Sequence, residues 1–126
     1  MTSIQVNADA DTIGTAVAAG AVGFGAAGLL APKLIVRTYG LPDTGPFRFL
    51  TRLWGTRTAA LGALMLLEGS PRSRRNLLLV AAAMNAVDAG VAISAGPDLT
   101  TRTKVMAAAT SGTFAVAAGA LAAGLI

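Results

Sequence analysis

Apolar residues in this chain come in four long runs, residues 13–31, 46–67, 76–95 and 104–126, parted by short polar breaks rich in Gly and Pro. Each run is about 20 residues, the length a helix needs to cross a hydrocarbon core of about 30 Å. The first run carries no charged residue and stops at Pro32 and Lys33. Residues 33–39 (Lys-Leu-Ile-Val-Arg-Thr-Tyr) read as a short amphipathic piece lying at the interface. The turn-rich stretch 40–46 follows, and Pro46 suits the first turn of the next helix. Residues 68–71 make a tight connection. There Gly69 is expected to adopt the left-handed helix stop, Ser70 to cap and Pro71 to open the third helix. That helix begins on a basic turn (Arg72, Arg74, Arg75), turns apolar from Leu77, and breaks at Gly96-Pro97-Asp98. The fourth run has no charge after Lys104. The pattern predicts an all-α polytopic membrane protein: residues 1–126 as a single integral membrane domain, a bundle of four transmembrane helices.

Composition supports that class. Hydrophobic residues make up 54% of the chain and charged residues 13%, roughly half the charged share of a typical soluble domain. A soluble surface needs more. The net charge of +4 does not point to nucleic acid, because the basic residues flank apolar runs as they do in membrane proteins generally. Residues 1–11 contain Asp9 and Asp11 but no Lys or Arg, so a cleaved secretory signal is not expected. Lys33, Arg37, Arg48, Arg52, Arg102 and Lys104 fall on one side, and Arg72, Arg74 and Arg75 on the other. The excess of positive charge places the first side in the cytoplasm and both termini outside, in a cell (inner or plasma) membrane.

Cysteine and histidine are both absent. Disulfides, thiolate metal sites and thiol redox chemistry are therefore excluded, and the commonest metal ligand and general base are missing. No cofactor and no metal are expected. Any chemistry falls to carboxylates, arginine, hydroxyls or amides.

Against that background, Arg57 and Asp88 stand out as ionisable residues inside apolar runs. A charge near the membrane centre costs about 2.5 to 3.5 kcal/mol on insertion scales, so such residues are usually paired, functional, or both. The second and third runs are antiparallel neighbours across a short turn. Arg57 lies 12 residues before Gly69 and Asp88 lies 17 residues after Pro71. If the basic turn Arg72–Arg75 stays in the headgroup layer, Asp88 sits 13 residues beyond Arg75 and the two charges come to within a helical turn of equal depth. Asn85, three residues before Asp88, shares its helical face and is positioned to donate a further hydrogen bond. One reading is an ion pair that fixes the register of two helices. The other makes Asp88 a proton carrier, or Arg57 a holder of an anionic group.

Two further patterns bear on function. Small residues recur every four positions at Thr15, Ala19, Gly23 and Ala27, and again at Ser111, Ala115, Gly119 and Ala123. Such stripes let helix backbones approach closely, either inside the bundle or in a homo-oligomer. Phe47, Arg48, Phe49, Arg52 and Trp54 open the second run. They anchor a helix at the interface, or form a substrate or lipid-headgroup site. The stretch 20–25 loosely matches a phosphate-binding loop, but it sits inside an uncharged run and not between a strand and a helix.

Gly28 and Pro32, then Gly40-Leu41-Pro42, then Gly55-Thr56-Arg57 leading to Leu61-Gly62, then an Asp in the third run, form an order over nearly the whole chain. That order resembles a family of small bacterial four-helix integral membrane proteins, a domain of unknown function. The resemblance implies four spans and draws attention to Arg57 and Asp88; it implies no activity. Small multidrug exporters share the size and span count, but they rely on a carboxylate in the first helix, where this chain has none.

Three functions are consistent with the sequence. A binding or accessory protein would hold a lipophilic small molecule or a partner subunit around the Arg57–Asp88 pair. Asn85, Trp54 and Arg52 would be its candidate ligand-binding residues. A membrane-embedded enzyme would use Asp88 as general acid or base on an apolar substrate, with Arg57 stabilising developing negative charge. A proton-coupled exporter would work as a homodimer, since four helices are few to enclose a pathway.

Overall fold

In the computed structural model, the backbone is described for residues 3–124 and the side chains for residues 11–124. The last two residues of the fourth apolar run therefore lie outside the described residues. The chain is all-helical. Five α-helices follow in order, α1 Ser3–Leu30, α2 Pro32–Thr38, α3 Gly45–Leu67, α4 Pro71–Ser94 and α5 Thr101–Ala122, with a short 3-10 turn at Gly96–Asp98 before α5.

Local chemistry sets these boundaries. Pro32 opens α2, and Ala31 before it leaves helical backbone at φ −132° and ψ 58°, which separates α2 from α1. Pro46 stands in the first turn of α3. At the start of α4 the Ser73 N–H donates to Ser70 Oγ at 3.4 Å, and at the start of α5 the Thr103 N–H donates to Thr100 Oγ1 at 3.2 Å. The left-handed stop expected at Gly69 is absent. Positive φ occurs instead at Gly40, Gly96 and Gly124, and α3 ends on Glu68 in extended backbone.

The helices pair as two hairpins. α1 lies along α3 and α4 along α5, while α3 meets α4 and α1 meets α5 over much shorter stretches. Glycines allow the first pairing. A Cβ on Gly55 would come within 2.6 Å of the Leu29 nitrogen, and one on Gly62 within 2.6 Å of the Ala18 oxygen. The small residues that make this contact are Ala18, Ala21, Gly25 and Gly28, not the expected stripe. A Cβ on Gly23 would meet nothing within 4 Å, and Thr15, Ala19 and Gly23 are all exposed. A run spaced strictly by four drifts round a 3.6-residue helix, whereas the observed spacing of three and four stays on one face. Of the fourth-run stripe, Gly119 does face α4, its absent Cβ lying 3.8 Å from the Ala82 Cβ.

The two hairpins close on a core of Ala18, Ala21, Met65, Leu78, Ala81 and Ala118. An edge-to-face contact between Phe24 and Phe114, with ring centroids 6.1 Å apart, joins α1 to α5. Small residues thus fill the interior while Leu53, Leu64, Leu67, Val87, Val91 and Ile93 face outward. Among the described residues, the largest fully buried side chain is Val36. Monomeric soluble proteins rarely present so much apolar surface, and close small-residue contacts are one way helices associate in lipid.

Among the described residues, three helical stretches are long and apolar enough to cross a membrane: Asp11–Leu30, Pro71–Ser94 and Thr101–Ala122. α3, the remaining expected span, matches them in length at 23 residues. It falls short in apolarity because it carries Arg48, Arg52 and Arg57.

Candidate functional site

Arg57 and Asp88 meet across the short α3–α4 interface, with Arg57 Nη2 donating to Asp88 Oδ2 at 2.6 Å. The connection at residues 68–70 makes the two helices antiparallel; Arg57 lies 11 residues before it and Asp88 18 residues after it, an offset of about two helical turns that the pair spans. The pair is not sealed in the core. Its side chains are 42% and 27% exposed respectively, so it bridges the mouth of a gap between the hairpins.

Two spaces flank the bridge. A small cavity of about 30 Å³ lies inside the bundle, with Arg57, Asn85, Trp54 and Phe114 in its wall. That is room for a water molecule and little more. A larger cleft of about 330 Å³ opens beside it, with Asp88, Phe47, Leu50 and Val91 in its wall. Its size reaches the lower end of the range for small-molecule sites, and its lining is mostly apolar as theirs is. Trp54, Thr110 and Ser111 line both spaces and form the partition.

The other expected site residues divide. Trp54 lines both spaces. Asn85 lines the inner cavity, but its amide donates to the Ala81 carbonyl at 2.9 Å and not to Asp88. The carbonyl four residues back on its own helix is the nearer acceptor, so no network with the ion pair forms. Arg52 belongs elsewhere: it lines a separate groove with Lys33 and Arg48 near the start of α3. Five residues along a helix from Arg57, it points away from the pair's side.

Tyr39 and Thr110 were not expected here. Their hydroxyls lie 2.7 Å apart, and both residues line the larger cleft. The Thr110 hydroxyl also donates to the Met106 carbonyl at 2.8 Å. Adjacent hydroxyl residues at 110–111 inside an uncharged run are the sequence signal that points to them. Tyr39 is brought in by the docking of the α2–α3 loop on α5. There the Thr103 hydroxyl donates to the Tyr39 carbonyl at 2.6 Å and Arg102 Nη2 donates to the Thr38 carbonyl at 3.0 Å.

Among the described residues, no three acidic side chains cluster as a metal site would require. The arrangement offers one guanidinium–carboxylate pair, two hydroxyls and an amide around largely apolar space. Comparison of the chain with family models, with curated proteins and with solved structures finds no match.

Proposed function

We propose that the chain is a multi-pass protein of the cell membrane that holds a lipophilic small molecule in the cleft beside the Arg57–Asp88 pair. In this reading α3 crosses the bilayer as a fourth span next to the three apolar helices. Its Arg48 and Arg52 lie near its start, at the level of the interfacial helix α2, which leaves Arg57 as its deep charge. Asp88 neutralises that charge at 2.6 Å, which lowers the cost of placing it in hydrocarbon.

The cleft carries the functional part of the proposal. An apolar space of about 330 Å³, with a charge pair in one wall and hydroxyls in another, suits a ligand that is mostly hydrocarbon with one polar group. The short α3–α4 contact leaves the cleft a lateral opening, so such a ligand would enter from the membrane and not from water. Binding is favoured over acid–base catalysis by one observation: the Asp88 carboxylate is already engaged by Arg57.

Native mass spectrometry on protein extracted gently from its own membrane, without delipidation, tests this. A retained small molecule of defined mass is the expected result. A stoichiometric protein partner with no bound ligand would overturn it, leaving Arg57–Asp88 as a pair that sets helix register. Turnover of an apolar substrate lost in Asp88→Asn would move the assignment to an enzyme.

A further inference from the structure

We infer that the groove between the α1–α2 break and the start of α3 binds the headgroup of an anionic phospholipid, an inference that rests on the membrane reading above. The groove has a volume of about 400 Å³, and its wall includes Leu30, Leu34, Lys33, Arg48 and Arg52. Cations from two elements converge there because α1 is pinned on α3 just below it. A Cβ on Gly28 would lie 2.9 Å from the Trp54 ring and 3.1 Å from the Gly55 Cα. The Pro32 break then turns the chain so that Lys33 shares the groove wall with Arg48 and Arg52.

The charge in this groove is in surplus. Asp43 is the carboxylate beside it, and it is engaged by Arg48 at 2.8 Å and approached by Arg37 at 3.7 Å. Among the described residues, Lys33 and Arg52 have no carboxylate partner. Two free cations flanking a concave surface are the chemistry that receives a phosphodiester, Arg through its planar fork and Lys as a point charge.

Apolar surface alongside selects a lipid over a free anion. Leu30 is 81% exposed and Leu34 60% exposed within the groove. Phe49 and Leu53, each one position beyond Arg48 and Arg52 on α3, are also exposed. A fatty chain descending from the headgroup would lie along this strip. A zwitterionic headgroup fits less well, because its cation would find no free carboxylate.

The test is native mass spectrometry of the full chain in detergent, titrated with phosphatidylglycerol or phosphatidylcholine. The expected result is about tenfold preference for phosphatidylglycerol, falling to near parity in Lys33→Ala/Arg52→Ala and persisting in Arg72→Ala at the opposite end. Lys33→Arg should retain it, and helical circular dichroism identifies any variant that fails to fold. Should the double variant not fold, Lys33→Gln alone is expected to lower the preference. Equal retention of both lipids by the parent chain would overturn the inference, as would undiminished preference in the folded double variant. Displacement of the lipid by millimolar inorganic phosphate would assign the groove to a free anion instead. An alkaline wash of the native membranes separates the two proposals. Release of the chain sinks the membrane reading, whereas retention without lipid preference sinks this inference alone.

Discussion

A methyl group on Gly55 would sit 2.6 Å from the Leu29 nitrogen and 2.8 Å from the Gly28 carbonyl carbon. Those atoms are backbone and cannot swing aside, so Gly55→Ala forces α1 and α3 apart. The expected loss is about 1–3 kcal/mol, the usual cost of overpacking. Gly23→Ala, which meets open space, should leave stability unchanged or slightly raised. Thermal unfolding of both variants in one detergent checks the contrast. The charge pair allows a second residue-level prediction. Arg57→Met or Asp88→Leu alone strands the other charge and should cost on the order of 2–3 kcal/mol, whereas Arg57→Met/Asp88→Leu should recover most of the loss. Costs that simply add in the double variant would show that the two residues are not coupled. Their meeting was legible in the sequence because each is a charge in an apolar run and the short turn between the runs makes their helices antiparallel neighbours. The role of Asn85 was not, because its partner is a main-chain carbonyl, which leaves no mark in residue identity.

At the scale of elements, helix boundaries followed Pro, Ser and Thr signals closely, since capping depends on neighbours within one turn. Gly69 departs from that rule for a visible reason. The Glu68 carboxylate accepts the Ser70 N–H at 3.0 Å, and Arg74 Nη2 donates to the Glu68 carbonyl at 2.9 Å. Side chains thereby satisfy the end of α3 without a left-handed residue. Gly40 does take that conformation, at φ +71°, where the chain turns from α2 toward α3. Gly40→Ala should therefore cost about 1–2 kcal/mol and loosen the loop that Arg102 and Thr103 hold on α5. Faster proteolytic cleavage within residues 40–45, with Gly45→Ala unaffected, is the expected sign.

For the whole molecule, the basic residues at the α2 end outnumber those at the α3–α4 turn, so the proposal of a multi-pass membrane protein carries the expectation that the α2 end is cytoplasmic and both termini are outside. A reporter that is active only in the cytoplasm should be silent when fused to the C-terminus; activity there would invert the topology. The lateral opening between the hairpins yields a further expectation. Trp54 lines the cleft, so lipids brominated along their acyl chains should quench its fluorescence. A water-soluble quencher should have little effect. The reverse pattern would mean that the cleft opens to water.

The sequence by itself determined that the chain is helical, where most helices begin and end, and which two charges lie within apolar runs. These depend on local backbone chemistry and on run length against bilayer thickness. Only the tertiary structure decided which small residues touch, that α1 pairs with α3 and α4 with α5, and that Arg52 joins Lys33 instead of Arg57. Those outcomes depend on the rotation of each helix about its axis. In a chain so rich in Ala and Gly, many rotations look alike along the sequence, and they are distinguished only when backbones come into contact.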